Sequence, residues 1–186
     1  MFVKGLFYTE EQFEAIQKNY NGKAEYSNGA IILSSNTSIK HNRIISRLSA
    51  YLTKYLANSK CDTYSGSIEV ILRNDTEVYK FKPDLFVMCD EATTQGESFT
   101  SAPKIIFEVI SKLTASHDYI TKLEVYQKFG VLEYNIVEQN GNVVQYSLVE
   151  GQFEISNTFK ETDEYVSTVF SELKISLYDV FKEKIN

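Results

Sequence analysis

Residues 104–110 read Lys-Ile-Ile-Phe-Glu-Val-Ile, a compact apolar run broken by one carboxylate, Glu108. A compact apolar run of that length reads as a buried strand. A helical segment follows, from about Ser116 to Phe129, and stops at Gly130, the residue type that closes helices in a left-handed conformation. A second strand then spans 132–138. Strand, helix and strand in that order, set among further strands, specify a mixed α/β (α+β) domain with one central sheet and helices packed on it.

The flanks extend this reading. Thr9-Glu10-Glu11-Gln12 has the capping-box pattern, so a first helix covers about 9–19. Lys23–Ser27 and Ala30–Ser34 flank Asn28-Gly29, a dipeptide suited to a tight hairpin. From Ser38 to Ala57, Ile44, Ile45, Leu48, Tyr51, Leu52 and Tyr55 recur at helical spacing. Strand-like text follows over Ser67–Leu72, a turn at Asn74-Asp75, and Glu77–Met88 with Pro83 inside. Residues 90–103 read as a surface loop. Beyond the decisive segment come strands at 143–149 and 152–159 and an amphipathic close, Leu177–Ile185. No repeat or linker divides the chain, so residues 1–186 read as a single domain.

Composition narrows the function. The apolar fraction is 43% and the charged fraction 24%, values of an ordinary globular protein. No stretch approaches a membrane span, and Glu10 and Glu11 interrupt the start too early for a secretory signal, so a cytoplasmic location is expected. A net charge of −6 argues against a whole surface devoted to phosphate neutralisation, though not against a local basic face. Cys61 and Cys89 lack zinc-ligand spacing and read as two small hydrophobes in strands. Lys40, Arg43, Arg47 and Lys54 share one flank of the long helix. That flank is either a solvated basic face or a surface that contacts phosphates.

Two carboxylates stand where folding alone does not call for them. An unpaired Glu108 in a buried strand costs several kcal/mol, so it needs a cation or a donor. Asp84 follows Pro83, where a strand begins or runs at an edge. Together the two could hold a hard divalent ion such as Mg²⁺ or Mn²⁺ through oxygen ligands. The structural alternatives are that Asp84 opens a turn or bonds nearby amides, and that Glu108 pairs with a lysine or arginine.

Several segments resemble the Uma-type restriction endonuclease family, a branch of the PD-(D/E)xK nucleases. They are KPDLFV, APKIIFEVIS, the Thr114–Tyr126 pattern T-x-x-x-D-x-x-x-K-x-x-x-Y, and GVLEYNIVE. The hairpin KAEYSNGAIILSS, His41 in KHNRII and the tail VSTVFSELKISLYDVF extend the resemblance over roughly 9–181. It implies a restriction-endonuclease-like core in which a central mixed sheet is flanked by helices. It also implies that Asp84 and Glu108 bind the metal and that Glu25 is a further acid of the site. The general pattern puts a lysine two residues after the second acid, where this chain has Ile110; the family's pattern offers Lys122 instead. Asp118, one turn earlier, is placed for an ion pair with Lys122.

The chain departs from the family at Ser111-Lys112-Leu113-Thr114 and at Asn135, and it has no tryptophan. His41 reads either as a group near the cleft, contacting a bound water or phosphate, or as a cap on the long helix. His117 reads as exposed. The expectation is a metal-dependent endonuclease acting on DNA, with His41, Lys40, Arg43 and Arg47 nearest the nucleic acid and a homodimer as one way to cut both strands. The competing reading is an inactive DNA-binding or protein-interaction module with the same fold. A hydrolase built on Ser111 or a cysteine lacks any nucleophile turn.

Overall fold

The computed structural model describes residues 7–34, 38–66, 68–110 and 117–183, with backbone alone for 117–119. The chain runs α1 (Glu10–Asn19), β1 (Lys23–Ser27), β2 (Ala30–Ser34), α2 (Ile39–Leu56), β3 (Cys61–Ser65), β4 (Val70–Arg73), β5 (Val78–Phe81) and β6 (Leu85–Cys89). It continues through β7 (Thr94–Gln95), β8 (Ser98–Phe99), β9 (Ile105–Ile110), a π-helical turn (His117–Lys122) and α3 (Leu123–Lys128). It ends with β10 (Glu133–Glu138), β11 (Val143–Val149), β12 (Gln152–Phe159), β13 (Glu164–Val166), β14 (Lys174–Ser176) and α4 (Leu177–Phe181).

Among the described residues β1 to β12 form two six-stranded sheets, ordered β2-β1-β5-β4-β8-β7 and β12-β11-β10-β9-β6-β3. The second is the central mixed sheet. Within it β9 and β10 run parallel, while β6 joins β9 and β11 joins β10 antiparallel. The expected single sheet is therefore corrected to two, and the reason lies at Pro83-Asp84. The text from Glu77 to Met88 is not one strand: β5 pairs with β1 and β4, and β6 pairs with β3 and β9. Proline has no N–H to continue a ladder, so the chain leaves one sheet there and enters the other.

Every residue of β9 is buried, and its two faces serve different cores. Ile105, Phe107 and Val109 pack with Ile44, Leu48 and Leu52 of α2. Ile106 and Ile110 pack with Val125, Tyr126 and Tyr134. Each such side chain contributes about 1.5–3 kcal/mol by leaving water. Glu108 alternates onto the second face.

The local signals at the amino end hold in three dimensions. Thr9 and Gln12 form the reciprocal capping box, and Asn28 and Gly29 turn the first hairpin at φ values of 44° and 95°. The surface-loop segment 90–103 contains the short β7–β8 hairpin, and β13–β14 adds a pair the sequence did not announce. The closing helix is shorter than Leu177–Ile185, and residues 184–186 lie outside the described residues. Cys61 and Cys89 stand opposite one another in the β3–β6 register and are joined as a disulfide. That corrects their reading as separate small hydrophobes, because a cross-strand register cannot be seen from spacing. Among the described residues no helix is long and apolar enough to cross a membrane.

Candidate active site

The β6–β9 ladder ends at the pair Leu85–Phe107, which leaves Asp84 beside Glu108. Asp84 Oδ2 accepts the Val109 N–H at 3.0 Å and meets His41 Nε2 at 3.0 Å. A hydrogen bond to a carboxylate assigns the His41 proton to Nε2. The Oδ1 atom faces Lys23 Nζ at 3.1 Å. Glu108 Oε1 accepts from Lys122 Nζ at 2.7 Å and from the Tyr126 hydroxyl at 3.2 Å.

Two more ions come from β1. Lys23 and Glu25 are two residues apart and share a strand face. Ala24 and Tyr26 point the other way, into a core with Phe13 and Ile31. Glu25 Oε1 accepts the Lys82 N–H at 2.7 Å and lies 3.4 Å from Lys122 Nζ. Lys122 itself is the last residue of the π-helical turn, just before α3. Ser38 caps α2 by accepting the His41 N–H at 3.1 Å, so one short segment both starts that helix and delivers the imidazole.

The structure thus brings Asp84, Glu108, Lys122, Glu25 and His41 together and adds Lys23, which the sequence reading missed. The available signal was its place two residues before Glu25 on the same strand face. Exposure falls inward from the mouth: the side chains of Lys23, Asp84, Glu25 and Lys122 are 24%, 12%, 5% and 1% exposed. Burial pushes the Asp84 carboxyl up, but Lys23 and the His41 hydrogen bond outweigh it and hold the group well below the usual carboxylate range. Burial also lowers the Lys23 ammonium, and the carboxylates of Glu25, Asp84 and Glu108 more than reverse it. Asp84 and Lys23 therefore both favour their charged forms, each through the opposite charge beside it.

The donor set suits a hard divalent ion, since the acids offer oxygen ligands and Mg²⁺ usually takes one or two carboxylates and several waters. Among the described residues no three His, Cys, Asp or Glu side chains stand together as a ready metal cage. Asp84 and Glu108, with water completing the shell, are the residues that would hold it.

Other expected residues are placed as follows. Lys40 is exposed and Arg43 half-buried on α2. Arg47 Nη1 donates to the carbonyls of Val180 at 2.8 Å and Lys182 at 2.6 Å, capping the carboxyl end of α4. Ile110 is buried in the apolar cluster with Val125 and Tyr126. Ser111, Lys112 and Thr114 lie outside the described residues, as do the side chains of His117 and Asp118. A depression of about 540 Å³ lined by Leu56, Cys61, Cys89 and Phe99 contains none of the clustered ions. It lies at the far end of β6, away from the clustered ions.

Comparison with known proteins bears on the family and the fold. The pattern of the Uma2 family, described as "Putative restriction endonuclease", matches residues 10–178. Two uncharacterized proteins of Synechocystis are similar. One is 27% identical over 123 residues, 66% of this chain and 64% of that protein. The other is 28% identical over 120 residues, 63% of this chain and 67% of that protein. The chain thus matches about two thirds of the length of these relatives. A crystal structure described as a putative nuclease belonging to DUF820, from Anabaena variabilis, superposes with a TM-score of 0.71. It is 18% identical and covers 94% of this chain and 97% of that one, which shows a shared, restriction-endonuclease-like fold.

Proposed function

The chain belongs to the Uma2 family of restriction-endonuclease-like proteins, and from that premise we propose that it hydrolyses DNA phosphodiester bonds as a Mg²⁺- or Mn²⁺-dependent endonuclease. The observation that carries this reading is the convergence of Asp84, Glu108 and Lys122 on one cluster, with the Lys122 ammonium 2.7 Å from Glu108.

A hard divalent ion held by Asp84 and Glu108 would supply an acidified water and offset charge on the phosphoryl oxygens. The protein's own groups set the stage for that chemistry. Val109 N–H and His41 fix Asp84 through Oδ2 and leave Oδ1 facing the mouth. Tyr126 and Lys122 fix Glu108 through Oε1. Lys122 is a buried cation whose charge needs no reorganisation, and it would orient the attacking water and stabilise negative charge as it develops. Glu25 also holds Lys122, at 3.4 Å, and is itself fixed by the Lys82 amide. Lys40 and Arg43, at the start of the helix that carries His41, are the groups proposed to meet the DNA backbone. A homodimer would pair two such sites, and the exposed edge strand β12, with Ile155 60% exposed, is the contact proposed for it.

One observation favours the alternative, an inactive module with this fold. Both acids are already neutralised internally, by Lys23 and Lys122. Nicking of supercoiled plasmid and of single-stranded DNA, with Mg²⁺ or Mn²⁺ titrated in, decides between the two. Asp84→Ala and Glu108→Ala are expected to lose at least about 10²-fold in rate, and chelation with EDTA should stop the wild type. A wild type that cuts nothing under either metal, yet retains DNA in a gel-shift assay, would leave the module as the reading.

A further inference from the structure

Among the described ions of the cluster, Lys23 is the one to which the proposed chemistry gives no task. Its Nζ stands 3.1 Å from Asp84 Oδ1, 3.7 Å from Glu25 Oε1 and 3.9 Å from Glu108 Oε2. Three carboxylates from separate segments therefore surround a single ammonium.

The choice of oxygens is informative. Asp84 Oδ2 is engaged by Val109 N–H and His41, and Glu108 Oε1 by Lys122 and Tyr126. Lys23 faces the other oxygen of each acid. Lys23 therefore stands between the two acids that would hold a divalent ion. Lys122 differs in kind: its side chain is 1% exposed and lies on the inner side of Glu108, whereas that of Lys23 is 24% exposed. A lysine is a compact charge on a flexible four-carbon stem, so Lys23 can turn toward solvent without moving β1.

We propose that Lys23 is a tethered counter-cation that fills the divalent-ion position between Asp84 and Glu108 in the metal-free protein and swings outward when the ion binds. The proposal rests on the nuclease reading of those two acids. The exchange keeps the largely buried Asp84 carboxylate matched in the metal-free protein, since a charge held out of water without a partner is costly. It leaves the displaced ammonium at the mouth, where a polyanion approaches. Lys23 is thus a positioning residue that tunes metal affinity.

The test is calorimetric titration of Mn²⁺ into wild type, Lys23→Gln, Lys23→Arg and Asp84→Asn, paired with mass-spectrometric footprinting of wild-type lysines by reductive methylation. If the resident cation leaves about a tenth of the molecules open to metal, Lys23→Gln should bind Mn²⁺ about tenfold more tightly. Lys23→Arg should bind no more tightly than wild type, and Asp84→Asn should lose binding. Methylation of Lys23 should rise on saturation with Mn²⁺ while that of exposed Lys40 stays constant. If Lys23→Gln does not fold without metal, the wild-type footprint decides alone. Mn²⁺ binding to wild type with no gain in Lys23→Gln and no rise in Lys23 methylation overturns the proposal and leaves the metal site standing. Absence of Mn²⁺ binding in all four proteins overturns both.

Discussion

Glu108 and Glu133 are buried carboxylates on neighbouring strands, and what surrounds each one separates a chemical site from a structural clamp. Glu108 meets the ammonium of Lys122. Glu133 is ringed by neutral donors: Tyr165 OH, Ser167 Oγ at 2.9 Å, Thr168 N–H at 2.6 Å, Thr168 Oγ1 at 2.8 Å and Asn135 Nδ2 at 2.9 Å. Its work is to fasten the segment around β13 onto the central sheet. The sequence made Asp84 and Glu108 legible because each interrupts or opens an apolar run. Lys23 gave no such anomaly, and Glu133, which also interrupts an apolar run, gave no local mark of the neutral donors that ring it, since they come mostly from a distant segment. The clamp carries a prediction about pH. Burial, and then the Glu133 charge, push the Tyr165 hydroxyl well above the usual phenol range. A folded-state value above the unfolded one contributes stability that is complete below about pH 10 and is lost as pH rises through the folded value. Denaturant midpoints measured from neutral to strongly alkaline pH should therefore fall for wild type and fall less steeply for Tyr165→Phe. Parallel slopes would remove the titrating tyrosine from the account.

At the scale of elements, what is local was readable and what is paired at a distance was not. The capping box at Thr9 and the Asn28-Gly29 turn appear as expected because a few adjacent residues decide them. The split into two sheets escaped notice because Pro83 marks a break without saying which partner each half will find. The π-helical turn before α3 escaped for another reason. One extra residue in a turn leaves the apolar spacing almost helical, yet it re-aims the side chain that follows, and such turns recur at functional sites. Lys122 ends that turn. The basic flank of α2 divides in the same way: Lys40 is exposed, whereas Arg47 is committed to the carbonyls that end α4. Arg47→Ala should cost about 1–3 kcal/mol in urea unfolding, the scale of a charge-assisted hydrogen bond whose acceptors lose their donor. Faster amide exchange should be confined to α4. If Arg47 met DNA instead, the substitution would weaken DNA retention and leave the urea midpoint unchanged.

For the whole molecule, the disulfide ties the two sheets' connection into one closed loop. Cys61 and Cys89 are 28 residues apart, and between them run β4, β5, the Pro83 crossing and Asp84 itself. Closing a loop of that length removes unfolded-state freedom worth about 3–4 kcal/mol. The bond also bears on the cytoplasmic expectation, because structural disulfides persist where the surroundings are oxidising. Stability and site should respond separately to its loss. Cys89 lies at the opposite end of β6 from Asp84, roughly 16 Å along the strand at ~3.3 Å per residue. The site is instead pinned by Val109, His41 and the β9 ladder, which reduction does not touch. Dithiothreitol should therefore lower the denaturant midpoint of wild type by the equivalent of about 3 kcal/mol. The Cys61→Ala, Cys89→Ala double variant should start at that lower value and ignore the reductant. Mn²⁺ affinity measured well below the unfolding transition should be the same in all three states. A drop in metal affinity on reduction would mean that the β3–β6 pair, and not the β6–β9 pair, sets the position of Asp84.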